Sequence, residues 1–179
     1  MTGTYPVQSY LQRRIGVAKV SICLHCDERV PESLTNFACL CPKFREARTS
    51  AHNQMLYVIT SLLTFTLRYE WTSFEEARVA DTGLVLCSSS RTDNDIDRLG
   101  RRQPDWILVS KQNKRIAVVD LSSPSDIHQA QLLAAAIRKQ QAYQPLVDGL
   151  SYYTEQGWVV HVFPLIVGIR GMIDSFHIE

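Results

Sequence analysis

No apolar run in this 179-residue chain approaches the ~20 residues that a membrane-crossing helix needs. The N-terminus has neither the apolar stretch of a secretory signal nor the Arg-rich, acid-poor pattern of a transit peptide, so the expectation is an intracellular protein. Charge of one sign is also missing, since 19 Lys and Arg stand against 18 Asp and Glu for a net charge of +1. There is no overall basic field to attract nucleic acid, and any such contact has to come from local patches. No internal repeat or low-complexity segment is evident. With 45% hydrophobic residues the chain can bury a core, and one domain with a small appendage is the expected organisation.

Cysteine is scarce and unevenly placed: four of the five fall between positions 23 and 41, and Cys87 stands alone. A disulfide framework tiles the chain, whereas clustering of this type favours a metal. Cys23-Leu-His25-Cys26 has the two-residue gap of a zinc ligand pair. Positive charge gathers in Arg98/Arg101/Arg102 and in Lys111/Lys114/Arg115. Either patch alone also fits solvated side chains on loops and turns.

Along the chain, residues 1–22 read as a lead-in, with an amphipathic stretch around Tyr10, Leu11 and Ile15. Residues 23–50 hold the cysteine segment, closed by Pro42 and joined onward by a polar piece. From His52 to about Arg68, Met55, Leu56, Ile59, Leu62, Leu63, Phe65 and Leu67 recur at helical spacing, with Ser50 available as N-cap. Residues 70–87 predict a turn and then a strand near Leu84–Cys87, and Ser88–Asp97 predicts a polar loop. Trp106–Val109 and Ile116–Leu121 are short Val- and Ile-rich runs separated by Lys111-Gln-Asn-Lys114, the pattern of a buried β-hairpin. Residues 125–155 carry a long helical pattern with Leu132, Leu133, Ala136, Tyr143, Leu146 and Leu150 inward. Pro145 is expected to kink or divide it. Trp158–Val167 reads as a further strand. The sum is an α/β domain over residues 52–179.

Asp105 and Asp120 are each expected on one of the paired strands, Asp105 directly after Pro104 and Asp120 at the end of Val118-Val119-Asp120, where strand pairing can bring them together. Two carboxylates at one point of a sheet repel, and a hard divalent cation that prefers oxygen ligands stabilises both in the ionised form. Such a site activates water against a phosphodiester. Taken singly, each aspartate also fits a plainer role: Asp105 starting a turn, Asp120 capping the helix after Pro124.

The order of the motifs adds to this. Arg101-Arg102-Gln-Pro104-Asp105, fourteen residues, and then Asp120-Leu-Ser-Ser-Pro124 resembles the PD-(D/E)xK nuclease superfamily, in the version carried by site-specific non-LTR retrotransposons that insert into ribosomal RNA genes. Lys139-Gln-Gln-Ala142-Tyr143-Gln-Pro-Leu146 is similar to that family's Lys-x-x-Lys-Tyr-x-x-Leu helix, with Ala142 at the second lysine. Val159 to Gly171 is similar to its closing strand, with Pro164 and a Gly168-x-x-Gly171 ending. His52-Asn53 matches its Arg-His-Asn, with Ala51 at the arginine. Upstream, Glu32 to Pro42 is similar to the end of its zinc knuckle, with Cys41 as last ligand and Asn36 where the histidine belongs.

The resemblance implies a restriction-endonuclease-like core, a central mixed sheet flanked by helices, behind a small zinc-knuckle-like segment. It implies that Asp105 and Asp120 bind Mg²⁺ or Mn²⁺. Ser122 stands where the usual superfamily lysine would be, and the resemblance supplies Lys139 from the helix instead, with Tyr143 beside it. Arg101, Arg102, His52 and Arg170 are the candidate DNA contacts. His52 also fits an ordinary helix start, and Arg170 a scaffold role. For zinc, Cys23, Cys26 and Cys41 are the expected ligands, with Cys39 or His25 replacing Asn36 and Cys39 favoured; a segment of free thiols is the alternative. The implied activity is nicking of target DNA in the nucleus to prime reverse transcription, with RNA engaged through a parent polyprotein. No polymerase box is present, Ala80-Asp81-Thr82 being the nearest approach. The departures at Asn36, Ala51 and Ala142 keep a second expectation open: a nucleic-acid-binding protein derived from such an element that no longer cuts.

Overall fold

The computed structural model describes residues 22–23, 25, 30, 36, 40–67, 69–87, 92–124, 128–169 and 171–173. Contacts divide the chain into two compact units, Met1–Gln54 and Met55–Glu179. Among the described residues, no helix is long and apolar enough to cross a membrane.

In the first unit, Cys23 and Cys41 are both buried, with their sulfurs 3.9 Å apart. The Cys23 amide donates to Val30 O and the Cys41 amide to Asn36 O, so short backbone loops hold both cysteines in place. Arg48 Nη1 donates to Cys41 O at 2.7 Å. A 3-10 turn, Pro42–Phe44, leads into helix α1, Arg45–Leu67. The helix therefore begins well before the expected Ser50, because Pro42 at the head of the turn already sets helical φ.

The second unit is a mixed α/β arrangement around a four-stranded sheet in the order β1-β2-β3-β4. The strands are β1 Thr72–Glu75, β2 Trp106–Ser110, β3 Arg115–Ser122 and β4 Val159–Ile166. β1, β2 and β3 run antiparallel in sequence, and β4 joins β3 in parallel. A parallel partner requires a crossover, here helices α3 (Gln129–Gly149) and α4 (Ser151–Glu155). Helix α2, Asp93–Gly100, precedes β2.

Strand alternation sorts the core into two faces. Ile107, Val109, Ile116 and Val118 pack with Leu146, Leu150, Val79 and Leu99. Trp106, Leu108, Ala117 and Leu121 pack with Leu56 of α1, flanked by Met55, Ile59 and Leu63. Trp106 is 1% exposed and its Nε1 donates to Thr60 Oγ1 at 2.9 Å, which satisfies the indole in a dry setting.

Four expectations change. Residues 84–86 form no strand; Cys87 makes a single parallel bridge to Leu150, and the first strand is the polar Thr72–Glu75. Within the expected loop at Ser88–Asp97, Thr92 starts α2 through a capping box in which Asp95 N donates to Thr92 Oγ1 and Thr92 N donates back to Asp95 Oδ2, each at 3.4 Å. Pro145 stays inside α3, and the division comes at Leu150. There the Cys87 amide donates to Gly149 O at 2.8 Å, which takes the carbonyl that a continuing helix would use. Leu133 is exposed and Ala135 is buried in its place, while Leu62 and Phe65 of α1 also face solvent.

Candidate active site

Asp120 is the buried acid of the sheet, 5% exposed. Sharing strand parity with Ile116 and Val118, it points to the face covered by α3. Lys139 and Tyr143 lie one helical turn apart on α3, so both side chains reach the same spot. Tyr143 Oη donates to Asp120 Oδ1 at 2.7 Å, and Lys139 Nζ forms an ion pair with Asp120 Oδ2. Each carboxylate oxygen thus accepts from a different residue.

Asp105 sits one step beyond the Trp106–Val119 pair of the hairpin, beside Asp120. Its Oδ2 accepts the Leu121 amide, and its own carbonyl accepts the Glu76 amide at 2.9 Å. Burial pushes the Tyr143 phenol well above its ordinary pKa; the hydrogen bond to Asp120 and the charges of Asp120 and Asp105 push it further, against a lowering by Arg102. The phenol therefore stays protonated and acts as a donor.

Arg102 adds a cation to this group. Its guanidinium carbon stands 5.6 Å from the centroid of the Tyr143 ring, and its Nη1 donates to Ala142 O. The Arg102 backbone is held at both ends, the amide donating to Leu99 O and the carbonyl accepting from the Val79 amide, each at 3.0 Å. Gly100 allows α2 to lie close to the 3-10 turn Val79–Thr82, since a Cβ there would stand 3.3 Å from that of Ala80. Pro145 lies inside α3 and has no amide hydrogen to give the helical carbonyl at Gln141. Arg102 binds the next carbonyl along.

No family model matches the chain, and no curated protein matches it in sequence. What the site can do rests on its own geometry. Asp105, Asp120, Lys139 and Tyr143 come together from the hairpin and α3, with Arg102 at their edge. Arg101 does not join them: its guanidinium pairs with Asp97 on the exposed side of α2 and holds that carboxyl below its usual 3.8. His52 lies half-buried on α1 in the first unit. Arg170, Cys26 and Cys39 lie outside the described residues. Nothing in the local pattern signals that Arg102 meets Tyr143 and Ala142, because that contact spans forty residues and follows no motif.

Among the described residues no group of three His, Cys, Asp or Glu side chains is placed to hold a metal ion. Magnesium does not need one, being held through one or two carboxylates while substrate phosphate and water complete the shell. Asp105 and Asp120 supply hard oxygen donors of that kind. In the first unit the 3.9 Å between the Cys23 and Cys41 sulfurs fits a shared tetrahedral zinc, whose ~2.3 Å Zn–S bonds set sulfurs about 3.8 Å apart. His25 is engaged edge-on with the Phe44 ring, centroids 5.2 Å apart.

Proposed function

We propose that the chain is a metal-dependent DNA endonuclease module with a restriction-endonuclease-like core, of the type that nicks target DNA for a retrotransposon reverse transcriptase in the nucleus. One observation carries the reading: Asp105, directly before β2, and Asp120 of β3 stand side by side, and a lysine and a tyrosine from one helix face meet the buried Asp120 carboxylate. Asp105 and Asp120 would hold Mg²⁺ or Mn²⁺. When bound, that ion supplies an activated water at neutral pH and offsets charge on phosphate. Lys139 is placed to stabilise the negative charge that develops on the phosphate oxygens. Tyr143, protonated, orients Asp120, and Arg102 fixes Tyr143 while the rest of its guanidinium can meet phosphate. Cys23 and Cys41 would hold zinc, with Cys26 and Cys39 completing the ligand set, and the bound ion would fold a segment that has little core of its own.

One observation favours a second reading. The Lys139–Asp120 pair is complete without a cation, so the same cluster could act as a structural staple in a module that only binds nucleic acid. Nicking of supercoiled plasmid with Mg²⁺ or Mn²⁺, run beside Asp105→Ala and Asp120→Ala, separates the two. Metal-dependent nicking that both substitutions abolish supports the nuclease. DNA binding equal in all three proteins, without nicking in any, supports the binding module.

A further inference from the structure

On the sheet face turned away from Asp120, the strand register sets side chains in rows. Ser73, Leu108, Ala117 and His161 align across the four strands, Trp106, Val119 and Phe163 form the next row, and Arg115 pairs with Val159 toward the hairpin turn. The small Ala117 stands between large neighbours, and a groove of about 400 Å³ lies there, lined by Trp71, Leu108, Arg115, Ala117, His161 and Phe163 among others. Three of the lining side chains are rings, and the rest of the wall is mainly aliphatic. His161 and Phe163 are exposed with ring centroids 5.7 Å apart, and Trp71 is half-buried.

Arg115 lines one end of the groove. Arg115 opens β3 directly after the turn that carries Lys111 and Lys114, all three exposed, and none of them forms an ion pair among the described residues. Glu75, the carboxylate that the strand register places on this face, stands on the opposite edge strand, across Trp106 and Val119 from Phe163. Unpaired cations match phosphates, and aromatic rings stack on nucleobases. Duplex bases keep their faces covered, so only an unpaired strand offers them to such rings.

We propose that this groove binds an unpaired nucleic-acid strand, with Trp71, His161 and Phe163 stacking its bases and Lys111, Lys114 and Arg115 meeting its phosphates. The surface lies on the sheet face opposite the aspartates, so the assignment stands whether or not the chain cleaves DNA.

Tryptophan fluorescence provides the test. Trp106 is buried, and Trp158 packs against Tyr153 in the core of the other face, which leaves Trp71 as the reporter in the groove. The whole chain carrying Asp120→Asn is titrated, without divalent metal, with oligothymidylate and with oligouridylate of about twelve nucleotides. Saturable quenching is expected, and it disappears in Trp71→Phe. His161→Ala and Phe163→Ala weaken binding about ten- to a hundredfold, while Phe163→Tyr, which keeps a ring, leaves it unchanged. Reversing Lys111, Lys114 or Arg115 to Glu lowers the salt slope by about 0.7 or more for each cation removed. The relative affinity of the two oligonucleotides tells whether DNA or RNA is preferred. Absence of quenching with both, or affinity indifferent to loss of the rings, overturns the assignment. So does a Phe163→Ala protein that changes only from dimer to monomer in sedimentation, which would make a second copy of the chain the occupant.

Discussion

The Tyr143 hydroxyl donates to Asp120 across 2.7 Å, although 23 residues separate the two in sequence. The contact exists because β3 aims Asp120 at α3, and the helical repeat places Lys139 and Tyr143 on one face. The polar groups there depend on one another. Asp120 is too buried to lose its partners without cost, and Tyr143 is too buried to lose its acceptor.

Tyr143→Phe removes one donor from Asp120 while keeping the ring under Arg102. Nicking should fall about tenfold to a hundredfold with little change in fold. Lys139→Ala removes the cation paired with Asp120, and under the nuclease reading a loss of about a hundredfold to a thousandfold in kcat is expected. Single-turnover nicking rates beside far-UV circular dichroism check both.

Asp105→Asn keeps an oxygen for the Leu121 amide and removes one of two adjoining negative charges. Activity should vanish while stability rises by about 0.5–2 kcal/mol, as is common where a functional site stores repulsion. A thermal melt without divalent metal reads this as a midpoint raised by a few degrees, roughly 2–8 °C. An unchanged or lowered midpoint would mean that the carboxylates do not repel in the metal-free protein.

Arg102→Ala should slow nicking by about tenfold to a hundredfold, through a misplaced Tyr143 and a weaker hold on phosphate. Arg102→Lys keeps charge but not the planar fork that lies over the ring and reaches Ala142 O at once, so it should rescue only in part. Parallel measurement of kcat and KM separates positioning, which lowers kcat, from phosphate binding, which raises KM.

Cys23→Ser and Cys41→Ser should each reduce zinc affinity by more than about a hundredfold, since loss of a ligand exceeds the loss seen for its supporting partners. Metal content by mass spectrometry and protease sensitivity of the first unit report the effect. The thermal transition of the second unit should stay where it is, because the hydrophobic core of that unit closes around its own sheet and helices.

What the sequence could show followed the strength of its local signals. The hairpin was legible because Trp106–Val109 and Ile116–Leu121 are apolar runs around a polar turn, and Lys114 at φ 50° is the left-handed residue that closes it. Asp105, Asp120, Lys139 and Tyr143 were legible as a set through motif order, though their mutual contacts were not. Thr72–Glu75 was missed because a polar edge strand borrows its order from β2. Helix α2 was missed because Thr92-Asp-Asn-Asp95 has the composition of a loop, and only the spacing of Thr92 and Asp95 marks a start. The break at Leu150 has no local signal to set against Pro145, because the competing donor, the Cys87 amide, lies more than sixty residues away. Arg102 is legible in the sequence as a candidate DNA contact, while its packing against Tyr143 and Ala142 follows no local signal.

β4 enters the sheet last in sequence and alone runs parallel to its neighbour. During synthesis, the residues from Arg102 to Tyr143 emerge before Val159, while β3 still lacks a partner on one side. Parallel pairing across a helical crossover is among the slower steps of folding. The frame around Asp105 and Asp120 is thus complete only when the last strand docks, and a chain cut short of Val159 would carry Asp105, Asp120, Lys139 and Tyr143 with β3 open on one side. Strand order thus makes the assembly of this side-chain cluster a late event of synthesis.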